Sequence, residues 1–180
     1  RLADLGLPYA PAVQLAVTLA RRLQLGDPGG HLRRALDHFP IPDMAARVRD
    51  EYFIEGGKAP NLPFKLTPLP ELRPRKSFLE LTVVANFAEV FLAKEGHSGV
   101  VGINYLEKIQ LPTLPSLYGA MLAGVDYVLM GAGIPRSIPG ALDALAQGQF
   151  TTLKADVLDA EPGDEFATTF DPQAFWNSSP

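Results

Sequence analysis

The segment spanning residues 99–135, GVVGINYLEKIQLPTLPSLYGAMLAGVDYVLMGAGIP, limits the fold more than any other part of the chain. Residues 99–105 form a short apolar run with Val100, Val101 and Ile103, bounded by glycines. Residues 116–123 have the small side chains of a closely packed helix, and 125–130 form a second apolar run. Two buried strands joined by a helix make a βαβ unit, and a helical crossover makes its strands parallel. Ligands of α/β folds sit at the carboxyl ends of such strands. Asn104 and the turn Gly131-Ala132-Gly133 are expected to share that end.

The remaining sequence is read around this unit. Residues 1–54 are expected to be helical. A helix over 11–25 carries Val13, Val17 and Ala20 on one apolar face and stops at Gly26. Asp27-Pro28-Gly29-Gly30 is a turn. A second helix over 31–39 turns Leu32, Leu36 and Phe39 inward, and a third starts at Pro42 with Met44, Val48 and Tyr52 at helical spacing. Residues 55–77 hold Gly56-Gly57 and five prolines among basic side chains, which predicts an extended surface arm. Residues 78–180 read as βα units: a strand over 79–85, a helix over 87–95 capped by Asn86 and ended by Gly96, then the βαβ unit and a helix over 137–147. Residues 151–158 and 165–170 alternate apolar and polar across Glu161-Pro162-Gly163-Asp164, a β-hairpin pattern, and Phe175-Trp176 anchors the tail. About three βα units result, whereas a closed (β/α)8 barrel needs eight and about 250 residues. The expected fold is therefore α/β, a partial (β/α)8 barrel with a helical segment before it and a hairpin after it.

Composition narrows the function classes. With 180 residues, 47% of them apolar, the chain can bury a substantial core and is not disordered. A net charge of −4 leaves no electrostatic footprint for nucleic acid. No apolar run reaches the roughly 18 residues of a membrane span. Without cysteine there is neither a disulfide nor a thiolate metal site, which fits a cytoplasmic location. The expected ligand is a small-molecule substrate.

Several residue types are suited to binding. Glycines at 131 and 133 let a flat ligand or a phosphate approach the backbone, although the same glycines also suit a plain βα turn. The pattern is too short for a dinucleotide fingerprint. The Asn104 amide can donate and accept toward a heterocycle, or bond its own backbone. Lys108, beside Glu107 and Gln110, offers charge to an anionic ligand or lies on a solvated loop face. His31, His38 and His97 have no partner at metal spacing, and His97 suits a helix-capping role after Gly96. No Ser-His-Asp, P-loop or paired-carboxylate pattern is present, so no catalytic residue is assigned.

The run over 102–135 resembles the nitronate monooxygenase family, also called 2-nitropropane dioxygenase-like proteins. These are FMN-dependent (β/α)8 barrels related to the flavin-dependent enoyl reductases of fatty-acid and polyketide synthesis. Gly-Ile-Asn-Tyr-Leu is similar to the family's Gly-Val-Asn strand, and Ala-Gly-Val-Asp through Gly-Ala-Gly-Ile-Pro is similar to the next one. Two further stretches, over 19–48 and 52–60, resemble a larger bacterial subgroup, so the resemblance covers most of residues 15–175. It implies FMN as cofactor, held in part by Asn104, Gly131, Ala132 and Gly133, with Lys108 toward the substrate. It implies oxidation of alkyl nitronates by oxygen. The family's Gln-Gly-Gly-Met-like first turn has no counterpart before Pro11, and its catalytic histidine, in a Gly-Gly-His context in the second half of the barrel, has none there either. The glycine turns of the late strands, which hold the FMN phosphate, are also missing. With Arg1 in first place, the expectation is a truncated portion, inactive by itself and prone to self-associate as a homo-oligomer. Two other readings stay open: a non-catalytic binding or structural half-barrel, and an enoyl reductase-like component of a fatty-acid or polyketide synthase, docked through the arm.

Overall fold

Residues 12–178, apart from 162, are described by a computed structural model. Pro11 at the expected start of the first helix, the Val13 side chain and Pro162 in the expected hairpin turn lie outside them. Helix α1 (Ala12–Gln24) buries Leu15, Leu19 and Leu23, spaced by four, with Ala16 and Ala20 beside them. The expected Val17 is only half-buried, because the leucines and not the valines set the inward face. Gly26 then reverses the chain at φ 84°, packed so closely on Gly57 that a β-carbon would lie 2.8 Å from the Gly57 nitrogen.

Helix α2 (His31–Asp37) has no capping side chain at Gly30, and the buried Asp27 supplies one from further back. Its Oδ1 accepts from the Leu32 N–H at 3.0 Å and its Oδ2 from the Arg33 N–H at 2.9 Å. A carboxylate at a helix N-terminus satisfies free N–H groups and meets the positive end of the dipole. Asp27→Ala leaves both donors unpaired and is expected to cost about 1–2 kcal/mol in urea unfolding, with Asp27→Asn keeping most of the stability. An unchanged midpoint in the alanine variant would remove Asp27 from the capping role.

Helix α3 (Pro42–Tyr52) begins at proline and buries Met44, Val48 and Tyr52, as its spacing predicts. The arm that follows is extended. Its first part is fastened by the buried Gln24, whose amide pairs with both backbone groups of Lys65: Nε2 donates to the carbonyl at 3.3 Å and Oε1 accepts from the N–H at 2.6 Å. The cations of Arg21 and Lys58 lie over the Phe64 ring, at 5.3 and 4.7 Å from its centre.

The expected strand over 79–85 and helix over 87–95 are one helix, α4 (Lys76–Lys94). The difference has a physical cause. A continuous apolar run with β-branched Thr82, Val83 and Val84 suits a buried strand as well as a helix covered on every side. Here α1, α2, α3 and α5 all pack against α4, and residues from Leu81 to Ala88 are buried without a break. Asn86, expected to cap a helix, sits in the middle of this one. The end of α4 does behave as expected: the His97 ring donates from Nε2 to the Ala93 carbonyl at 2.6 Å and accepts the Gly99 N–H on Nδ1 at 3.0 Å.

The βαβ unit forms as the sequence predicts. Strand β1 (Gly102–Leu106), helix α5 (Thr113–Leu122) and strand β2 (Tyr127–Gly131) follow in order. The strands pair in parallel, from Gly102 opposite Tyr127 to Leu106 opposite Gly131. Helix α6 (Ile138–Ala146) leads to an antiparallel hairpin of β3 (Thr151–Ala155) and β4 (Phe166–Phe170), with Thr151 opposite Phe170. Helix α7 (Pro172–Asn177) closes the described chain, capped by Asp171 through the N–H groups of Gln173 and Ala174. One apolar core runs from Leu15 to Phe175 and joins the first and third expected segments, while the arm over 55–77 adds no residue to it.

The fold is thus mixed α/β, with seven helices and two sheets of two strands each among the described residues. These sheets do not close a barrel, and two βα units, β1–α5 and β2–α6, stand where about three were expected, because α4 takes the place of the strand and helix of the first. No helix among the described residues is long and apolar enough to cross a membrane.

Candidate functional site

The parallel pair has two unlike faces. Tyr105 is buried, and Ile103, Val128 and Met130 pack against the helical core. The alternate residues Gly102, Asn104, Tyr127 and Leu129 are exposed, Tyr127 by 61% and Leu129 by 54%. Parallel strands are ordinarily covered on both faces, so an open apolar face on such a pair is unusual.

Asn104 lies on this open face, at the middle of β1 rather than at its end, opposite Leu129. Gly131 is the last residue of β2. A β-carbon built on Gly131 would lie 3.9 Å from the Asn104 Oδ1, so the two expected site residues are neighbours. Ala132 follows at φ 63°, a left-handed conformation that costs a non-glycine residue about 1–2 kcal/mol. Strain of this kind collects at binding sites held by the surrounding structure. Gly133 lies against the Glu107 side chain so closely that any β-carbon would overlap its carboxylate. The Glu107 N–H donates to the Gly131 carbonyl at 2.9 Å and joins the two strand ends.

Past the strand ends lies a cleft of about 100 Å³. Glu107 and Gln110 line it from the β1–α5 loop, Arg136 and Ser137 from the β2–α6 loop, Thr113 from the start of α5 and Lys154 from β3. The predicted Lys108 is exposed in the turn after β1 and is not part of the lining. Arg136 and Lys154 were not legible as site residues. Arg136 had a signal, its place directly after the glycine turn at the head of a helix. Lys154 had none, since an outward lysine on a hairpin strand is ordinary.

No histidine lines the cleft. His31 does follow Gly29-Gly30, but that triplet starts α2, outside the βαβ unit, and its ring meets the Arg34 guanidinium at 3.0 Å on the surface. At the other end of the strands, Lys94 Nζ donates to Asp126 Oδ2 at 2.7 Å, and the Val101 N–H donates to the same oxygen at 2.8 Å. These two bonds hold the Asp126 carboxyl below its ordinary range. This cluster is structural, tying α4 to the entry of both strands. Among the described residues no group of three His, Cys, Asp or Glu side chains is placed to hold a metal ion. The chain matches no family model, no curated protein and no solved structure.

Proposed function

We propose that this chain is a portion of an FMN-dependent oxidoreductase of nitronate monooxygenase type, built on part of a (β/α)8 barrel. One observation carries the reading: Asn104 and Gly131 are side by side on the uncovered face of a parallel strand pair. In a barrel that face is the inner one, met by side chains from other strands. An amide that donates and accepts, next to a backbone free of a β-carbon, suits the edge of a flat heterocycle. The apolar Leu129 and Tyr127 on the same face suit its plane. These residues fit the isoalloxazine ring. The glycine turns that hold the phosphate in this family have no counterpart here.

When bound, the flavin supplies the capacity to take electrons from an alkyl nitronate and pass them to oxygen. The chain's own part is to orient the ring through Asn104, to let it approach at Gly131, and to exclude water with Leu129; at Gly133 the Glu107 side chain fills the space a β-carbon would take. Oxidation of nitronates by this chain alone is not expected, since neither the open sheet face nor the cleft beyond it offers a histidine as base.

The test is titration of FMN with the full chain, followed by quenching of flavin fluorescence. Saturable binding is expected with Kd on the order of tens of micromolar, weakened about tenfold in Asn104→Leu. Unchanged fluorescence with the chain at about 100 μM would overturn the reading. A second reading, the enoyl reductase-like component of a synthase, draws on the arm. Leu66 and Leu69 are 89% and 75% exposed there, in a proline-rich segment suited to docking on another protein.

A further inference from the structure

We infer that the cleft at the carboxyl ends of β1 and β2 binds a small oxyanion, a carboxylate or phosphate group, through Arg136 and Lys154. The site goes beyond the flavin reading and does not depend on it, because none of its charged residues lies on the open sheet face.

Arg136 and Lys154 come from different elements, the β2–α6 loop and β3, and line one cleft. Among the described residues neither makes an ion pair or a side-chain hydrogen bond, although other cations of the fold do: Arg34 with Glu95, Arg47 with Glu80 and Lys94 with Asp126. Two cations that line one cleft and pair with no protein anion favour a ligand anion. The Arg136 backbone is fixed by its N–H, which donates to the Ile134 carbonyl at 2.8 Å. Its planar guanidinium can give two parallel hydrogen bonds to a carboxylate or phosphate, and Lys154 adds a point charge.

Helix α6 starts at the same place. Its positive end faces the cleft, and Ser137 makes no capping hydrogen bond through its hydroxyl. The cavity of about 100 Å³ is worth about three waters at ~30 Å³ each. That volume admits an anionic group and the atoms attached to it.

Glu107 defines the ligand further. It lines the same cleft, with its carboxylate against Gly133, and forms an ion pair with neither cation. A simple anion is therefore repelled from that side, whereas a hydroxyl or ammonium next to the anionic group would donate to Glu107. The chemical class is a small hydroxy acid, amino acid or hydroxylated phosphate ester.

The test uses the full chain without flavin. Inorganic phosphate, glycerol 3-phosphate and glycolate are each titrated, and the amide signals of Ser137, Ile138 and Gly140 and the Arg136 Nε signal are followed by NMR. Saturable shifts are expected for at least one probe with Kd of about 1 mM, and the tighter probe assigns the ligand as phosphate ester or carboxylate. Arg136→Gln and Lys154→Gln should each weaken binding about tenfold. Both side chains are exposed, so the melting temperature should not change. Glu107→Gln should tighten inorganic phosphate several-fold and glycerol 3-phosphate less. The proposal is overturned if the shifts stay linear to about 50 mM, if chloride at equal ionic strength reproduces them, or if both cation variants bind as the parent does. Loss of FMN binding with these shifts intact would sink the flavin reading alone.

Discussion

Replacing Gly119 by alanine is expected to destabilise the fold by about 3 kcal/mol. Gly119 lies in α5 where this helix crosses α4, the most extensive helix–helix contact in the molecule. A β-carbon there would overlap the Val83 carbonyl oxygen and press within 3.0 Å of the Val83 carbonyl carbon and Cα. These are backbone atoms in the middle of a helix, and Val83 is completely buried, so neither can swing aside. The two helices must move apart, which loosens Leu114 and Leu117 on the same helix, both fully buried. Gly140 provides the contrast. It lies inside α6 with nothing within 4 Å of its β-position. Alanine at Gly140 should add about 0.5–1 kcal/mol, since glycine is a poor helix residue in open space. Urea unfolding of both variants beside the parent makes the comparison. Equal midpoints for Gly119→Ala and Gly140→Ala would show that α4 and α5 do not cross at this distance.

The same helix pair explains what could be read from the chain. The βαβ unit was legible because glycines bracket each apolar run and the crossover between them has helical length. The hairpin was legible because 151–155 and 166–170 alternate along their length, with Leu153, Ala155, Thr168 and Phe170 turned inward. Helix α4 was not legible. Periodicity reports which side of an element is apolar, and a helix packed against four others has no polar side over its middle turns. Its internal marker was Asn86, read as a cap. Buried at a mid-helix position, it donates instead to the Thr82 carbonyl at 2.8 Å, four residues back. Of the site, the neighbourhood of Asn104 and Gly131 followed from strand order alone. The cleft beyond them did not. Lys154 joins it through the position of β3, a tertiary relation that no local pattern encodes.

Tyr105→Phe is the second large effect, and its size should depend on pH. The Tyr105 hydroxyl is buried between β1, α4 and α5. It donates toward the Asn86 Oδ1 at 2.9 Å and the Ser116 carbonyl at 3.0 Å. Phenylalanine keeps the ring and leaves both acceptors without that donor, which costs about 2 kcal/mol at neutral pH. Burial also raises the Tyr105 pKa far above its ordinary value of 10.0. The unfolded chain releases this proton near pH ~10 while the folded protein keeps it. Above that pH the native state binds more protons than the unfolded one, so stability falls as pH rises, by about 1.4 kcal/mol per unit for one such group. The phenylalanine variant has no proton to lose at this position. Its deficit against the parent should therefore shrink from pH ~7 to pH ~11.5, and the order could reverse at the upper end. Tyr52 and Tyr118, also raised by burial, remain in both proteins and leave both with a shared alkaline slope. Urea unfolding at the two pH values reads the difference directly. A deficit that stays constant would mean that Tyr105 ionises in the folded state as freely as in the unfolded chain, and that its hydroxyl is not sealed between the two helices.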